Sequence, residues 1–165
     1  MLAKMLQMIT PDRPRAPEWV ARVTQMSSSH RQLDEPLAVL VIEDDADARH
    51  IYAEYLRSKR WKVFSAVDGR MGLNKINELR PDVVVLDLAM PRVDGWTVLK
   101  NVRESSITAD IAVVVVSALT DARDQAFYAG ADAYLMKPVP PDVLYLQIRA
   151  LSRCQAEAAR NEASL

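Results

Sequence analysis

Four short apolar stretches of the sequence each end in, or run directly into, side chains that can bind a cation, accept a phosphoryl group or hold a phosphate. In chain order, these side chains are Glu43, Asp44, Asp87, Ser117 and Lys137. Ser117 or Lys137 alone would mean little. Their repeated placement at four strand-like ends is difficult to assign to chance, so we interpret the five residues as one candidate site.

The chemistry of this set can be argued from charge. Clustered carboxylates repel one another, so they either titrate with a raised pKa or require a cation. Oxygen ligands without nearby His or Cys suit a hard cation such as Mg²⁺ or Mn²⁺ rather than zinc. Lys137 can bind phosphate as a compact positive charge, and Ser117 can donate a hydrogen bond to an anion. Asp87, on the central apolar stretch, is the predicted nucleophile that would form an acyl phosphate.

Several other acidic residues near these stretches have a simpler interpretation as helix caps. Asp45 or Asp47 is placed to cap the helix after the first stretch, and Asp68 and Asp121 precede later helical segments. Aspartate is among the preferred N-cap residues, because its carboxylate accepts hydrogen bonds from free amides of the first turn. We therefore leave these four residues out of the candidate site.

The elements that must position the site alternate regularly from residue 37 onward. Strands are predicted at 37–42, 61–66, 83–87, 111–118 and 131–138, and helices at 46–60, 68–80, 94–105, 121–130 and 140–163. Strands that are apolar throughout are covered on both faces, and strand–helix–strand units cross over into a parallel sheet. The predicted fold class is α/β, a doubly wound three-layer sandwich. Ligands of such sheets bind outside the carboxyl ends of the strands, where the five site residues would meet.

The helical segments carry apolar residues at helical spacing, which indicates the faces that pack on the sheet. Gly130 is predicted to end the fourth helix. The expected core positions on the helices are Ala48, Ile51, Tyr52, Tyr55, Leu56, Met71, Ile76, Leu79, Val143, Leu144, Ile148, Leu151 and Cys154.

Composition limits the remaining possibilities. The chain has 165 residues, of which 50% are hydrophobic, a net charge of −1 and a single cysteine. That charge gives no general attraction to nucleic acid or to an anionic membrane, and no apolar run approaches the roughly 20 residues of a membrane span. We expect a cytoplasmic protein without membrane insertion. Residues 1–36, rich in proline, are interpreted as a flexible N-terminal extension, residues 37–155 as the domain, and residues 156–165 as an extension of the last helix.

Four segments resemble motifs of the response-regulator receiver domain, the phosphoacceptor domain of two-component signalling. They are VLVIEDD, VVVLDLAMPRVDG, VVVVSA and YLMKP, and the resemblance extends over residues 37–155. It implies a flavodoxin-like (βα)5 fold with strand order 2-1-3-4-5. It also implies that Glu43, Asp44 and Asp87 bind Mg²⁺ with the backbone carbonyl of Ala89.

The resemblance implies further roles. Asp87 would accept the phosphoryl group, and Lys137 and Ser117 would bind it, with Ala118 leaving room beside it. Ser117 and Tyr134 would act as switch residues. Gly95 also lies where the family expects a glycine. Glu43 stands where many members have Asp.

The function that the resemblance implies is that of a phosphorylated switch. A histidine kinase or a histidine phosphotransfer protein would donate the phosphoryl group to Asp87, and the domain would catalyse its own modification without being an enzyme in the turnover sense. Phosphorylation would change the face made by helix 4, strand 5 and helix 5, which could also form a homodimer or bind a downstream protein. Because only about one helix follows the fifth strand, the chain has no room for a DNA-binding domain, and it is either a single-domain regulator or an excised piece of a larger one. Of the two, we expect the single-domain regulator, without direct nucleic-acid binding.

Three other functions compete with this interpretation. A degenerate receiver that acts only as a protein-interaction domain stays open. A haloacid-dehalogenase-like phosphatase is disfavoured, because that family has a second Asp two residues after the nucleophile, where this chain has Ala89. A flavodoxin-type cofactor binder is disfavoured, because the loop after the first strand is acidic and would repel phosphate.

Overall fold

A computed structural model of the chain describes residues 36–162, with side chains described as far as Ser152. The predicted N-terminal extension, residues 1–36, lies outside this range except for Pro36. Of the predicted C-terminal extension, residues 156–165, only the helical backbone up to Glu162 lies within it. The expected core position Cys154 has no described side chain. The proposed domain limits therefore stay predictions.

Five strands alternate with five helices along the described chain. The strands are β1 (Ala38–Ile42), β2 (Lys62–Ala66), β3 (Val83–Leu86), β4 (Ala112–Ser117) and β5 (Ala133–Met136). The helices are α1 (Ala46–Ser58), α2 (Gly69–Leu79), α3 (Gly95–Glu104), α4 (Arg123–Tyr128) and α5 (Pro141–Glu162).

The strands form one parallel sheet in the order β2-β1-β3-β4-β5, which confirms the predicted fold class and topology. All residues of β3 and β4 are buried, and so is β1 after its first residue. The two edge strands, β2 and β5, are only partly covered. This difference explains why the central strands consist mainly of Val, Ile and Leu, whereas the edge strand β2 contains Lys62 and Ser65.

Alternate residues of the central strands enter two separate cores, one on each face of the sheet. One core contains Leu40, Ile42, Ile76, Val84, Leu86, Val98, Leu99, Val102, Val113 and Val115, and so joins the sheet to α2 and α3. The other contains Val39, Val41, Tyr52, Leu56, Val83, Val85, Val114, Leu144 and Ile148, and so joins it to α1 and α5. The three layers follow from this alternation, because successive side chains of a strand point to opposite faces.

Four residues expected in the helical core are instead substantially exposed. They are Ile51, Met71, Leu79 and Val143. Ile51, Met71 and Val143 each lie about 100° or more around the helix from its buried residues, since successive residues turn by roughly that angle. Leu79 is only about 60° from Ile76, but it is the last residue of α2. The buried stripe of each helix is therefore narrower than the apolar pattern of the sequence suggests.

Aspartates cap three of the helices, as the local sequence favours. Asp45 accepts a hydrogen bond from Ala48 N at 2.7 Å, and Asp68 does the same for α2, which confirms both predicted caps. Asp47 lies in the first turn of α1. The prediction for Asp121 is wrong, because α4 begins at Arg123 and its N-cap residue, Ala122, makes no side-chain capping bond.

The C-terminal end of α4 is closed by a glycine turn, as predicted. Gly130 has a φ of +100°, and its N–H donates to Phe127 O at 3.0 Å. The N–H of Ala131 donates to Ala126 O at 2.9 Å. This pair of bonds is the Schellman arrangement, which needs a left-handed residue at the position of Gly130.

Arg103 joins α3 to two loops at the amino edge of the sheet, residues 109–111 before β4 and residues 130–132 before β5. Its Nε donates to Gly130 O at 2.7 Å, and its Nη1 donates to the carbonyls of Ala109 and Ile111 at 3.0 and 2.8 Å. Its Nη2 pairs with Asp132 at 2.8 Å. Burial lowers the pKa of Arg103, against the opposing effect of Asp132. The guanidinium thus satisfies several carbonyls that the chain turns would otherwise leave unpaired.

Among residues 36–162, none of the helices has the length and apolar character that crossing a bilayer would require.

Replacing Arg103 with Met should destabilise the fold by about 2–3 kcal/mol, because partly buried carbonyls and one carboxylate lose their donor. Urea unfolding would measure this change. Arg57→Met is the matched control, since Arg57 also bonds a carboxylate and a backbone carbonyl but at the surface. The control should cost about 0.5 kcal/mol or less. Equal losses in the two variants would contradict the structural role of Arg103.

Candidate functional site

The predicted site residues meet at the carboxyl edge of the sheet, the end at which all five parallel strands finish. Asp87 directly follows β3, and its N–H donates to Ile42 O, the last residue of β1, at 3.0 Å. Lys137 follows β5, and its N–H donates to Ser117 O at 2.9 Å. The ladder of the sheet therefore extends one residue past the strands and fixes the backbone beneath the site.

The ammonium group of Lys137 lies between two buried carboxylates. Its Nζ is 2.6 Å from Asp87 Oδ2 and 2.8 Å from Glu43 Oε2. Glu43 and Asp87 are 2% and 5% exposed, so water can solvate neither carboxylate fully. These three residues were predicted to lie at the carboxyl edge of the sheet, and in the structure Lys137 is in direct contact with the other two.

The pKa values of this group reflect burial first and charge second. Burial raises the pKa of the Glu43 carboxyl, and the hydrogen bond and charge of Lys137 offset only part of that effect. For Lys137, burial disfavours the ammonium, but the hydrogen bonds and charges of Asp87 and Glu43 outweigh it and raise its pKa. The ammonium form of Lys137 is thus favoured, and this single positive charge lies beside the carboxyl groups of Glu43 and Asp87.

Three carboxylates of the site can face one ion. Oxygen atoms of Glu43, Asp44 and Asp87 lie within 4.8 Å of one another, and we call these three residues the acidic cluster. Asp44 is exposed, whereas the other two are buried. An all-oxygen set of three carboxyl groups fits a hard cation such as Mg²⁺.

The loop after β3 binds the carboxylate oxygen of Asp87 that does not contact Lys137. The N–H of Ala89 donates to Asp87 Oδ1 at 2.9 Å. The two oxygens of Asp87 are therefore held by different groups, one by Ala89 and one by Lys137. The prediction that the carbonyl of Ala89 binds a metal ion stays a prediction.

Gly95 closes the loop against the same backbone. Its N–H donates to Leu88 O at 3.2 Å. A Cβ at this position would lie 2.1 Å from Asp87 O and 2.6 Å from the Cα of Leu88. Both atoms belong to the backbone that carries Asp87, so only glycine allows α3 to begin this close to the site. The sequence motif contained Gly95, but its spacing alone did not give this reason.

Ser117 and Tyr134 are joined through one loop residue. Ser117 is fully buried, and its Oγ accepts a hydrogen bond from Leu119 N at 3.4 Å. The hydroxyl of Tyr134 donates to the carbonyl of Leu119. Within residues 36–162, the hydrogen bond of the Ser117 hydroxyl goes to this loop and not to Asp87 or Lys137. The two predicted switch residues therefore share a partner.

Arg49 is a site residue that the sequence reasoning missed. It lies in α1, and its Nη1 donates to Glu43 O at 2.7 Å and to Asp44 O at 3.1 Å. The available signal was its position one turn after the acidic pair, because helical side chains lean toward the N-terminus of the helix.

Comparison with known proteins agrees with this geometry. The family model "Response regulator receiver domain" matches residues 39–149. The chain belongs to this family. Among solved structures, the receiver domain of Francisella response regulator 1452 is 30% identical with a TM-score of 0.67, and it covers 72% of this chain and 98% of that one. The Vibrio cholerae chemotaxis protein CheY4 is 27% identical with a TM-score of 0.66, covering 70% and 98% of the two chains.

Curated relatives are longer than this receiver chain. The "DNA-binding dual master transcriptional regulator RpaA" of Synechocystis sp. is 38% identical over 70% of this chain and 48% of its own length. The transcriptional regulatory protein TrcR of Mycobacterium tuberculosis is 31% identical over 82% of this chain and 53% of its own. The chain therefore spans about half the length of these relatives, and the match extends over its receiver domain.

Replacing Gly95 with Ala should destabilise the receiver by about 2 kcal/mol or more, because the added methyl group meets backbone that cannot move aside. Gly72→Ala is the control. Its Cβ would meet mainly the Cδ1 atom of Ile42 at 2.6 Å, a side-chain end that can rotate, and alanine gains about 1 kcal/mol of helix propensity. Urea unfolding of both variants would compare them. A Gly95→Ala protein as stable as Gly72→Ala would contradict the close approach described here.

Proposed function

We propose that this receiver accepts a phosphoryl group on Asp87 and changes the surface formed by α4, β5 and α5. The observation that carries the proposal is the contact of Lys137 with Asp87 at 2.6 Å beside the acidic cluster. Receiver domains interact with histidine kinases, so the donor would be a histidine kinase or a histidine phosphotransfer protein.

The proposed transfer is a single displacement at phosphorus in which atoms and charge balance. A carboxylate oxygen of Asp87 attacks the phosphorus of a phosphohistidine, the P–N bond breaks, and its electron pair stays on the imidazole. Lys137 binds an oxygen of the transferred group, and Ser117 donates a hydrogen bond to another. A Mg²⁺ or Mn²⁺ ion held by Glu43, Asp44, Asp87 and the carbonyl of Ala89 would neutralise the remaining charge of the phosphoryl oxygens.

Attack of water on the acyl phosphate would reverse the modification and return Asp87 to its carboxylate form. Both reactions change the domain itself, so it would not be an enzyme in the turnover sense.

The proposed switch uses the loop that joins Ser117 to Tyr134. A phosphoryl group on Asp87 offers the Ser117 O–H a charged acceptor, and such a bond is stronger than the 3.4 Å bond in which Ser117 Oγ accepts from Leu119 N–H. When Ser117 turns toward the phosphate, the loop moves. Tyr134 then loses its hydrogen bond to Leu119 and occupies the space that Ser117 leaves. A local charge thus biases an element with two arrangements.

The output of the switch is a separate proposal. Five residues near the α4-β5-α5 face expose large apolar side chains, which suits binding to a protein partner or to a second copy: Phe127, Tyr128, Met136, Val143 and Leu146. The single-domain role and the absence of direct nucleic-acid binding stay predictions, since the name of the Synechocystis relative includes DNA binding. A cytoplasmic location likewise stays a prediction.

Incubation with acetyl phosphate should add one phosphoryl group to the wild-type chain only when Mg²⁺ is present, and Asp87→Asn should abolish the addition. Intact-mass spectrometry would measure it. Asp121→Asn is the control, because Asp121 is an exposed aspartate in the loop after β4 and lies outside the acidic cluster. Labelling of Asp87→Asn at the wild-type level would contradict the acceptor assignment. A folded wild-type chain without labelling or Mg²⁺ binding would favour the degenerate receiver.

Tyr134→Phe should shift the unphosphorylated receiver part-way toward its phosphorylated form, because the hydrogen bond that joins Tyr134 to Leu119 is lost. Hydrogen–deuterium exchange of residues 118–128, with and without acetyl phosphate, would detect the shift. Tyr128→Phe is the matched control, since Tyr128 is 95% exposed on α4. An exchange pattern of Tyr134→Phe equal to that of the control would contradict the proposed switch.

A further inference from the structure

Arg49 binds the backbone of both adjacent acids of the acidic cluster. Its Nη1 donates to Glu43 O at 2.7 Å and to Asp44 O at 3.1 Å. One nitrogen thus fixes two successive peptide groups in the loop between β1 and α1. The carboxylates of the same two residues face the place where a cation would be bound.

The local sequence explains why Arg49 reaches back to this loop. It is the fourth residue of α1, and its own N–H makes the first helical bond to Asp45 O at 3.0 Å. Side chains on a helix lean toward its N-terminus, so a long side chain at this position covers the preceding turn. The guanidinium arrives at carbonyl groups that a short loop cannot pair within itself.

The two acids depend on this backbone to different degrees. The carboxylate of Glu43 is buried and bonded to Lys137, so its direction is fixed by other groups. Asp44 is exposed, and the direction of an exposed side chain follows the backbone that carries it. Fixing the carbonyl of Asp44 therefore fixes the Cα–Cβ direction from which its carboxylate reaches toward the cation, and so limits the positions that its rotamers can occupy.

We propose that Arg49 is a positioning residue for the metal-binding acids, acting mainly by holding the backbone of Asp44 in the orientation that aims its carboxylate at the bound cation. The inference rests on the proposed function, because it assumes that the acidic cluster binds Mg²⁺. Arg49 itself contacts no metal ligand atom in this arrangement. Its contacts are with the carbonyl oxygens.

Because Arg49 is positively charged, the direction in which its removal changes the Mg²⁺ affinity tests the inference. A positive group close to the acidic cluster repels a second cation, so its removal should tighten Mg²⁺ binding if charge were its only influence. Loss of positioning has the opposite effect. Replacing a residue that orients a metal ligand typically weakens binding by about tenfold. A neutral substitution therefore separates the two explanations.

Isothermal titration calorimetry of Mg²⁺ into the full chain would make the comparison. Arg49→Met should bind Mg²⁺ about tenfold more weakly than wild type. Arg49→Lys should recover most of the loss, because both contacts come from one nitrogen and Lys supplies a comparable donor. Arg57→Met is the control, since it removes the same charge and a bond to a carbonyl at the opposite end of α1. Its Mg²⁺ affinity should equal that of wild type.

A double-mutant cycle with Asp44→Asn would identify the acid through which Arg49 acts. In the Asp44→Asn background, Arg49→Met should change the Mg²⁺ affinity by less than about threefold, since coupled residues are not additive. An equal loss in both backgrounds would overturn the role through Asp44. Unfolding in urea would verify that each variant is folded, and Arg49→Gln would replace Arg49→Met if the latter did not fold.

The outcomes also separate this inference from the proposed function. Wild-type Mg²⁺ affinity, or tighter binding, in Arg49→Met would overturn the inference and leave the receiver function intact. Absence of Mg²⁺ binding to the folded wild-type chain would overturn both.

Discussion

The contact of Lys137 with two buried carboxylates is the interaction on which the carboxyl edge of this receiver depends. Asp87 ends a strand that is covered on both faces, and Glu43 is equally buried, so an ammonium group must lie between them. The intact set of three charges adds little to the free energy of unfolding. Removing one of its members is strongly destabilising, because a buried charge is then left without a partner. The parallel register brings the required partner from β5 to this point, which makes the sheet topology a condition for the site.

Much of this arrangement could be predicted from the sequence, because it follows from periodicity and strand ends. Unbroken apolar runs indicated strands buried on both faces, and the acids, hydroxyl and ammonium at their ends indicated one edge. Contacts through the backbone could not be predicted in this way. The bonds of Arg49 to two carbonyls, the four bonds of Arg103 and the close approach at Gly95 depend on where loops turn in space. The exposure of Ile51 and Met71 was missed for a related reason, because an apolar residue beside a buried stripe follows the same spacing rule.

The two ends of α4 are held very differently, and this difference suits the proposed switch. Its C-terminal end is closed by the turn at Gly130, whose carbonyl is also bound by Arg103. Its N-terminal end has no side-chain cap and follows the loop that Ser117 and Tyr134 share. A helix of six residues gains little stability from its own hydrogen bonds. Movement of the loop can therefore reorient the beginning of α4 while the end stays attached to α3 and the sheet.

Arg49 donates to backbone carbonyls and not to carboxylates, which explains how an arginine and a cation can both lie at the carboxyl edge of the sheet. An arginine paired with Asp44 or Glu43 through the carboxylates would occupy the oxygens that a metal ion needs and would neutralise the charge that attracts it. By donating to the carbonyls instead, Arg49 leaves those oxygens available while it restrains the chain that carries them. Lys137 does contact carboxylates, but it lies on the side of Asp87 and Glu43 and leaves the exposed Asp44 to face solvent. The two positive groups thus bind different atoms of the acidic cluster, Lys137 the carboxylates of Asp87 and Glu43 and Arg49 the backbone carbonyls, and neither occupies the carboxylate of Asp44.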